Sequence, residues 1–165
     1  MKKVIALLVS VMLCLSLTLP ALAITSEYAS TQAVMDALDG ANYTFTYRGM
    51  NDSGYEIIRM NFGTNKYSLT MNLFCDKTQT ETSIRVWNII TYDPSKETEV
   101  MVLCNKLNSD YKYVKFYADT TDNTVTCDMD VLYRKNDVGP IVLEAITHVA
   151  DIIEDCYSQL AAYDK

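Results

Sequence analysis

Along residues 93–160 the apolar positions change period twice, from helical to alternating and back to helical. Asp93 is placed to cap a helix whose first position is Pro94, where a missing N–H costs nothing. Val100, Leu103, Cys104 and Leu107 then follow at i, i+3, i+4 and i+7, which makes one buried stripe. Two alternating runs come next. Val114, Phe116 and Ala118 share one face of the first, and Val125, Cys127, Met129 and Val131 share one face of the second. The turn-forming cluster Asp119 to Asn123 separates them and predicts an antiparallel hairpin. Beyond Asp137, a second candidate cap, and Pro140, the residues Val142, Ile146, Val149, Ile153, Cys156 and Leu160 trace a long helical seam. Ile141, Ala145 and Ile152 widen it, as expected of a helix lying flat on a sheet or a partner.

The preceding stretch begins with a short helix near Thr31 to Leu38, its inward side formed by Val34, Met35 and Leu38 and its end set by Gly40. Four alternating runs follow. Tyr43, Phe45 and Tyr47 mark the first and Ile58, Met60 and Phe62 the second. Tyr67, Leu69, Met71, Leu73 and Cys75 mark the third, and residues Ile84 to Ile90 the fourth. In that last run Val86 and Trp87 make both faces partly apolar, which predicts a central or double-covered strand. Turn residues at Asn51 to Gly54, Gly63 to Lys66 and Asp76 to Thr80 are too short for parallel crossovers. The predicted fold class is therefore α+β, an antiparallel sheet of about six strands with helices packed against it, in the order α-β-β-β-β-α-β-β-α.

The first residues carry a different signal. Lys2 and Lys3 precede an apolar core from Val4 to Leu19, Pro20 breaks it, and Ala21-Leu22-Ala23 offers a small-x-small cleavage pattern. This reads as a bacterial export signal over residues 1–23, followed by one domain over 24–165. Cys14 follows Leu13 instead of a small residue, which argues against a lipid anchor. Lys2 and Lys3 would leave with the signal, so of 14 basic and 21 acidic residues 12 and 21 remain, a balance of −9. That charge disfavours nucleic acid and anionic membranes and favours solubility or a basic partner. No stable membrane insertion is expected after cleavage.

An Asn-x-x-Asn pair, Asn105 and Asn108, lies near the end of the middle helix within Leu103-Cys104-Asn105-Lys106-Leu107-Asn108-Ser109-Asp110-Tyr111-Lys112-Tyr113-Val114-Lys115-Phe116-Tyr117. With the tyrosine-rich strand, the hairpin and the long last helix, this segment resembles the YbjN family, whose domains share the fold of type III secretion chaperones. The likeness in element order runs from about Ser30 to Leu160. It implies a type III secretion chaperone-like sheet with helices against it, frequent dimerisation, and a role in binding or regulating other proteins without catalysis. The export signal departs from the cytoplasmic members of that family.

Read as residues alone, Asn105 and Asn108 suit a helix end, where an amide satisfies orphan carbonyls or a strand edge, and they are also candidates for recognition. Cys75, Cys104, Cys127 and Cys156 each fall in the buried phase of their element and lack C-x-x-C spacing. Free core thiols are expected, with one or two disulfides as the alternative. His148 is the only histidine, and it shares a polar helix stripe with Glu144, Asp151 and Asp155, which reads as a solvated face more readily than as a metal or catalytic site. Asp128 and Asp130, near Asp119 and Asp122, miss the spacing of a calcium loop. No catalytic residue, metal site or cofactor is predicted, and no enzyme.

Among the 12 tyrosines, Tyr111, Tyr113 and Tyr117, with Tyr43 and Tyr47, bring amphipathic rings to strand surfaces and suit an interface. The binding candidates are thus Asn105, Asn108, Tyr111, Tyr113 and Tyr117. The leading expectation is an exported, non-enzymatic module that binds a protein or peptide segment against its sheet, with a homodimer also expected. The alternative is a small-molecule or lipid carrier with a pocket between the sheet and the last helix. A broad open surface would favour the first and a closed apolar pocket the second.

Overall fold

The computed structural model describes residues 25–134 and 136–165. The export signal, its cleavage point after Ala23 and Cys14 lie outside the described residues. Helix α1 spans Ala29–Gly40, and strands β1 (Phe45–Met50), β2 (Glu56–Gly63), β3 (Ser68–Cys75) and β4 (Glu81–Val86) follow as an antiparallel meander. A 3-10 turn, Pro94–Lys96, leads into α2 (Glu97–Asp110), then β5 (Lys115–Asp119), β6 (Thr124–Leu132) and α3 (Val138–Ala161). The sheet has six strands in the order β1-β2-β3-β4-β6-β5, every pair antiparallel. The α+β class and the element order predicted from periodicity are both present. Among the described residues, no helix is long and apolar enough to cross a membrane.

The three described helices pack on one face. Ile58, Met71, Leu73, Cys75, Ile84, Val86, Phe116 and Cys127 point into that layer and are buried. They meet Val34 and Leu38 of α1, Val100, Cys104 and Leu107 of α2, and the predicted α3 seam from Val142 to Leu160. The α3 and α1 helices touch closely at Gly139, where a Cβ would lie 2.8 Å from the Ala33 carbonyl oxygen. Tyr67 fixes the outer side of α3, donating to Glu154 at 2.6 Å and stacking on Tyr157 with ring centroids 4.2 Å apart.

Three local expectations are corrected. The fourth strand ends at Val86, short of Ile90, because Asn88 takes a left-handed φ of 56° and redirects the chain. Ile89 and Ile90 still bond to Val125, so the segment remains tied to β6. That strand is central in the sheet, and the described helices lie on one side of it. The first helix runs two residues further in each direction than Thr31 to Leu38, and Asn42 with φ 61° supplies the left-handed turn after it, a role assigned to Gly40. Asp93 caps the 3-10 turn ahead of α2, accepting from the Ser95 N–H at 2.9 Å, and α2 itself starts at Glu97 without a side-chain cap; the Asp137 side chain caps nothing.

Candidate functional site

Alternation sends the second set of strand residues to the face that no described element covers. Strand register arranges them in cross-strand rows. One row runs Arg59, Asn72, Arg85, Asp128 and Lys115, a second Ile57, Phe74, Ser83 and Asp130, and Tyr117 pairs with Thr126 in a third. Trp87, Tyr117 and Leu132 remain exposed there, Leu132 at 73%. Phe74 is the centre of an aromatic group, edge-on to Trp87 at 5.5 Å and to Tyr55 at 6.3 Å, with the Arg85 guanidinium 5.3 Å from its ring centroid.

Polar contacts organise this face. Arg59 Nε donates to Asn72 Oδ1 at 2.9 Å, Ser83 donates to Asp130 at 2.7 Å, and Tyr117 donates to Asp128 at 3.3 Å. Arg85 Nε stands 3.9 Å from Asp128 Oδ2, an ion pair too long for a hydrogen bond. Burial raises the Asp128 carboxyl above its ordinary pKa, with Arg85 and Tyr117 opposing it. Burial and the Asp128 charge together raise the Tyr117 phenol.

The sheet edges differ. On β5, the Asn108 amide bonds both backbone groups of Phe116, and α2 covers the edge. On β1, a register shift between Tyr47 and Gly49 bulges the strand, a device that discourages pairing with another chain. The open face is therefore more accessible to a partner than either edge.

The predicted candidates do not converge. Tyr117 lies on the open face. Asn108 clasps Phe116, and Asn105 is exposed at the surface of α2. Tyr111 is half-buried against the core. Tyr113, 77% exposed, stands on the helix side with its ring 6.3 Å from that of His148. Of the other tyrosines, Tyr47 donates to Glu56, and Tyr43 is exposed ahead of β1. Sequence reading missed Arg85, Phe74 and Leu132 as members of this face. Their alternation with Ile84, Val86 and Cys75 carried the signal, but it marks an outward face without saying whether a helix covers it.

On the helix side, a groove of about 530 Å³ lies between the first half of α3 and the end of β6. Met129, Val131, Ile141 and Ala145 line it, with Glu144, His148, Asp151 and Tyr113 around them. His148 is exposed there, and the four described thiols are free and buried in the core, away from it. Burial pushes Cys104 up to about 11 and Cys156 up to about 12, and raises Cys75 and Cys127 as well. Among the described residues, no group of three or more histidine, cysteine or acidic side chains is placed to hold a metal ion. Asp119 and Asp122 are engaged in their own turn, bonding Thr121 N–H and the Thr124 hydroxyl, and do not join Asp128 and Asp130.

Comparison with known proteins follows the same lines. The model of the YbjN family, described as "Putative bacterial sensory transduction regulator", matches residues 30–161. A solved structure, "Crystal structure of YbjN, a putative transcription regulator from E. coli", superimposes with a TM-score of 0.55 at 10% identity, covering 79% of this chain and 93% of that one. At that identity the likeness concerns the fold. No curated protein matches the chain.

Proposed function

The chain belongs to the YbjN family, and on that premise we propose that it is an exported, non-enzymatic regulatory module that binds a protein segment on the open face of its sheet. The observation that carries this reading is the coexistence of exposed Trp87, Tyr117 and Leu132 with the Arg85 and Asp128 pair on one surface that no described element covers. Aromatic anchors beside a charged pair, on a base of buried small polar residues such as Ser83 and Thr126, are the composition of a recognition patch. A partner's segment laid across the rows would cover the Phe74 aromatic group and take its register from Arg85 and Asp128. Export belongs to the same proposal, with the mature chain beginning at Ile24.

A photo-crosslinking residue at position 117 tests the binding reading in the producing bacterium. A discrete adduct that disappears with Trp87→Ala, while the same probe at the outer α2 position 102 gives none, supports it. Equal labelling from both positions, or an adduct indifferent to Trp87→Ala, overturns it. If the adduct is a second copy of the chain, a concentration series in analytical ultracentrifugation shows the matching dimer. The mass of the protein recovered outside the cytoplasm tests export separately.

A further inference from the structure

We propose that the groove between α3 and β6 binds a small amphiphilic organic cation, a hydrocarbon group carrying an ammonium, and that this site is separate from the open sheet face. Four apolar side chains, Met129, Val131, Ile141 and Ala145, provide a floor for the hydrocarbon. Its volume of about 530 Å³ falls in the range of small-ligand sites and is confined to one half of a helix, too short a track for an extended polypeptide.

Charge selects the ligand class. Glu144 and Asp151 line the groove, and among the described residues no lysine or arginine does. An anionic amphiphile such as a fatty acid would meet repulsion from both carboxylates, and a neutral one would gain no charge–charge attraction from them. An ammonium placed between them gains from each.

Tyr113 supplies an independent argument. Its φ is 71°, a left-handed conformation that costs a residue with a Cβ roughly 1–2 kcal/mol. In spite of that cost its ring is 77% exposed, so burial does not compensate it. Glycine would hold this turn without strain. A tyrosine kept there presents an aromatic face beside His148 at the mouth of a carboxylate-lined groove, the arrangement that attracts alkylammonium groups.

Decyltrimethylammonium, used below its micelle-forming concentration, is the probe, with decanoate as the anionic control of equal chain length. Calorimetric titration and amide chemical shifts are read on the whole mature chain. Saturable binding of one cation per chain is expected, with shifts at Tyr113, Met129 and Ala145, and decanoate at least about tenfold weaker. The double variant Glu144→Gln, Asp151→Asn should lose about tenfold in affinity with an unchanged unfolding midpoint, since both side chains are exposed. Tyr113→Gly should lose roughly fivefold in affinity while raising the unfolding midpoint. Decanoate binding as tightly as the cation, a double variant that binds normally, or shifts centred on Trp87 and Tyr117 would each overturn the proposal. The last outcome would leave the open face as the binding surface and remove the groove alone.

Discussion

Asn108 and Phe116 form a closed two-bond clasp: the Asn108 Nδ2 donates to the Phe116 carbonyl at 2.9 Å, and the Phe116 N–H donates to Asn108 Oδ1 at 2.6 Å. The side chain imitates a neighbouring strand for one residue of an edge strand. It satisfies two backbone groups that would otherwise invite pairing with another molecule. Asn108→Ala should cost about 1–2 kcal/mol in denaturant unfolding and speed hydrogen exchange at Phe116. Asn105→Ala, at an exposed position with no such clasp, should fall within about 0.5 kcal/mol of the parent.

Glu56 is fully buried on β2, yet it is charged. Its carboxylate accepts from the Glu27 N–H at 2.7 Å, the Tyr28 N–H at 3.2 Å and the Tyr47 hydroxyl, just ahead of the first turn of α1. Burial alone would raise its pKa, but these donors outweigh burial and leave it below 4.5. The helix start adds a favourable dipole. The resulting stability is present above pH 4.5 and is lost as pH falls through the lowered folded value. Glu56→Gln should cost about 2–3 kcal/mol at pH 7 and flatten the acid limb of a stability-against-pH curve. Tyr47 behaves in the opposite sense. Burial first, and then Glu56, raise its phenol above 10.0, so its contribution is present below pH 10 and declines above it, and Tyr47→Phe should remove that alkaline slope.

Gly139 is held by space. A Cβ there would meet the Ala33 carbonyl oxygen at 2.8 Å and the Ala37 Cβ at 2.9 Å, so Gly139→Ala must push α3 away from α1. A net loss of about 1–3 kcal/mol is expected, despite the better helix propensity of alanine. Gly40→Ala, with nothing within 4 Å of the added carbon, should be neutral or stabilising by the same unfolding measurement.

The thiols should be silent in the folded protein. With Cys104 up at about 11 and Cys156 at about 12, roughly a thousandth or less of either is thiolate at pH 8. Burial blocks access as well. Iodoacetamide should leave Cys75, Cys104, Cys127 and Cys156 unmodified in native buffer and alkylate all four in denaturant without a reducing agent, read by mass spectrometry. Alkylation in denaturant that requires prior reduction would mean that they pair.

Much of this architecture was legible in the chain. Alternation at Leu69, Met71, Leu73 and Cys75, and the seam from Val142 to Leu160, fixed which elements form and which side each buries, because both follow from the backbone repeat and the exclusion of apolar groups from water. The stretch around Asn105 and Asn108 was enough to indicate the family. What these local patterns do not encode is which outward face stays uncovered and which distant groups meet. Tyr113 and Tyr117 are four residues apart and end on opposite sides of the sheet, since the left-handed turn at Tyr113 places it ahead of β5 while Tyr117 lies within that strand. Glu56 reads as a polar residue at a strand start until the fold sets it against backbone amides nearly thirty residues earlier. Likewise, only the insertion of β6 between β4 and β5 brings Arg85 beside Asp128. Periodicity is a local property that sequence states directly, whereas sheet order and the partners of buried charges depend on packing the whole layer at once, and that was decided by the tertiary structure.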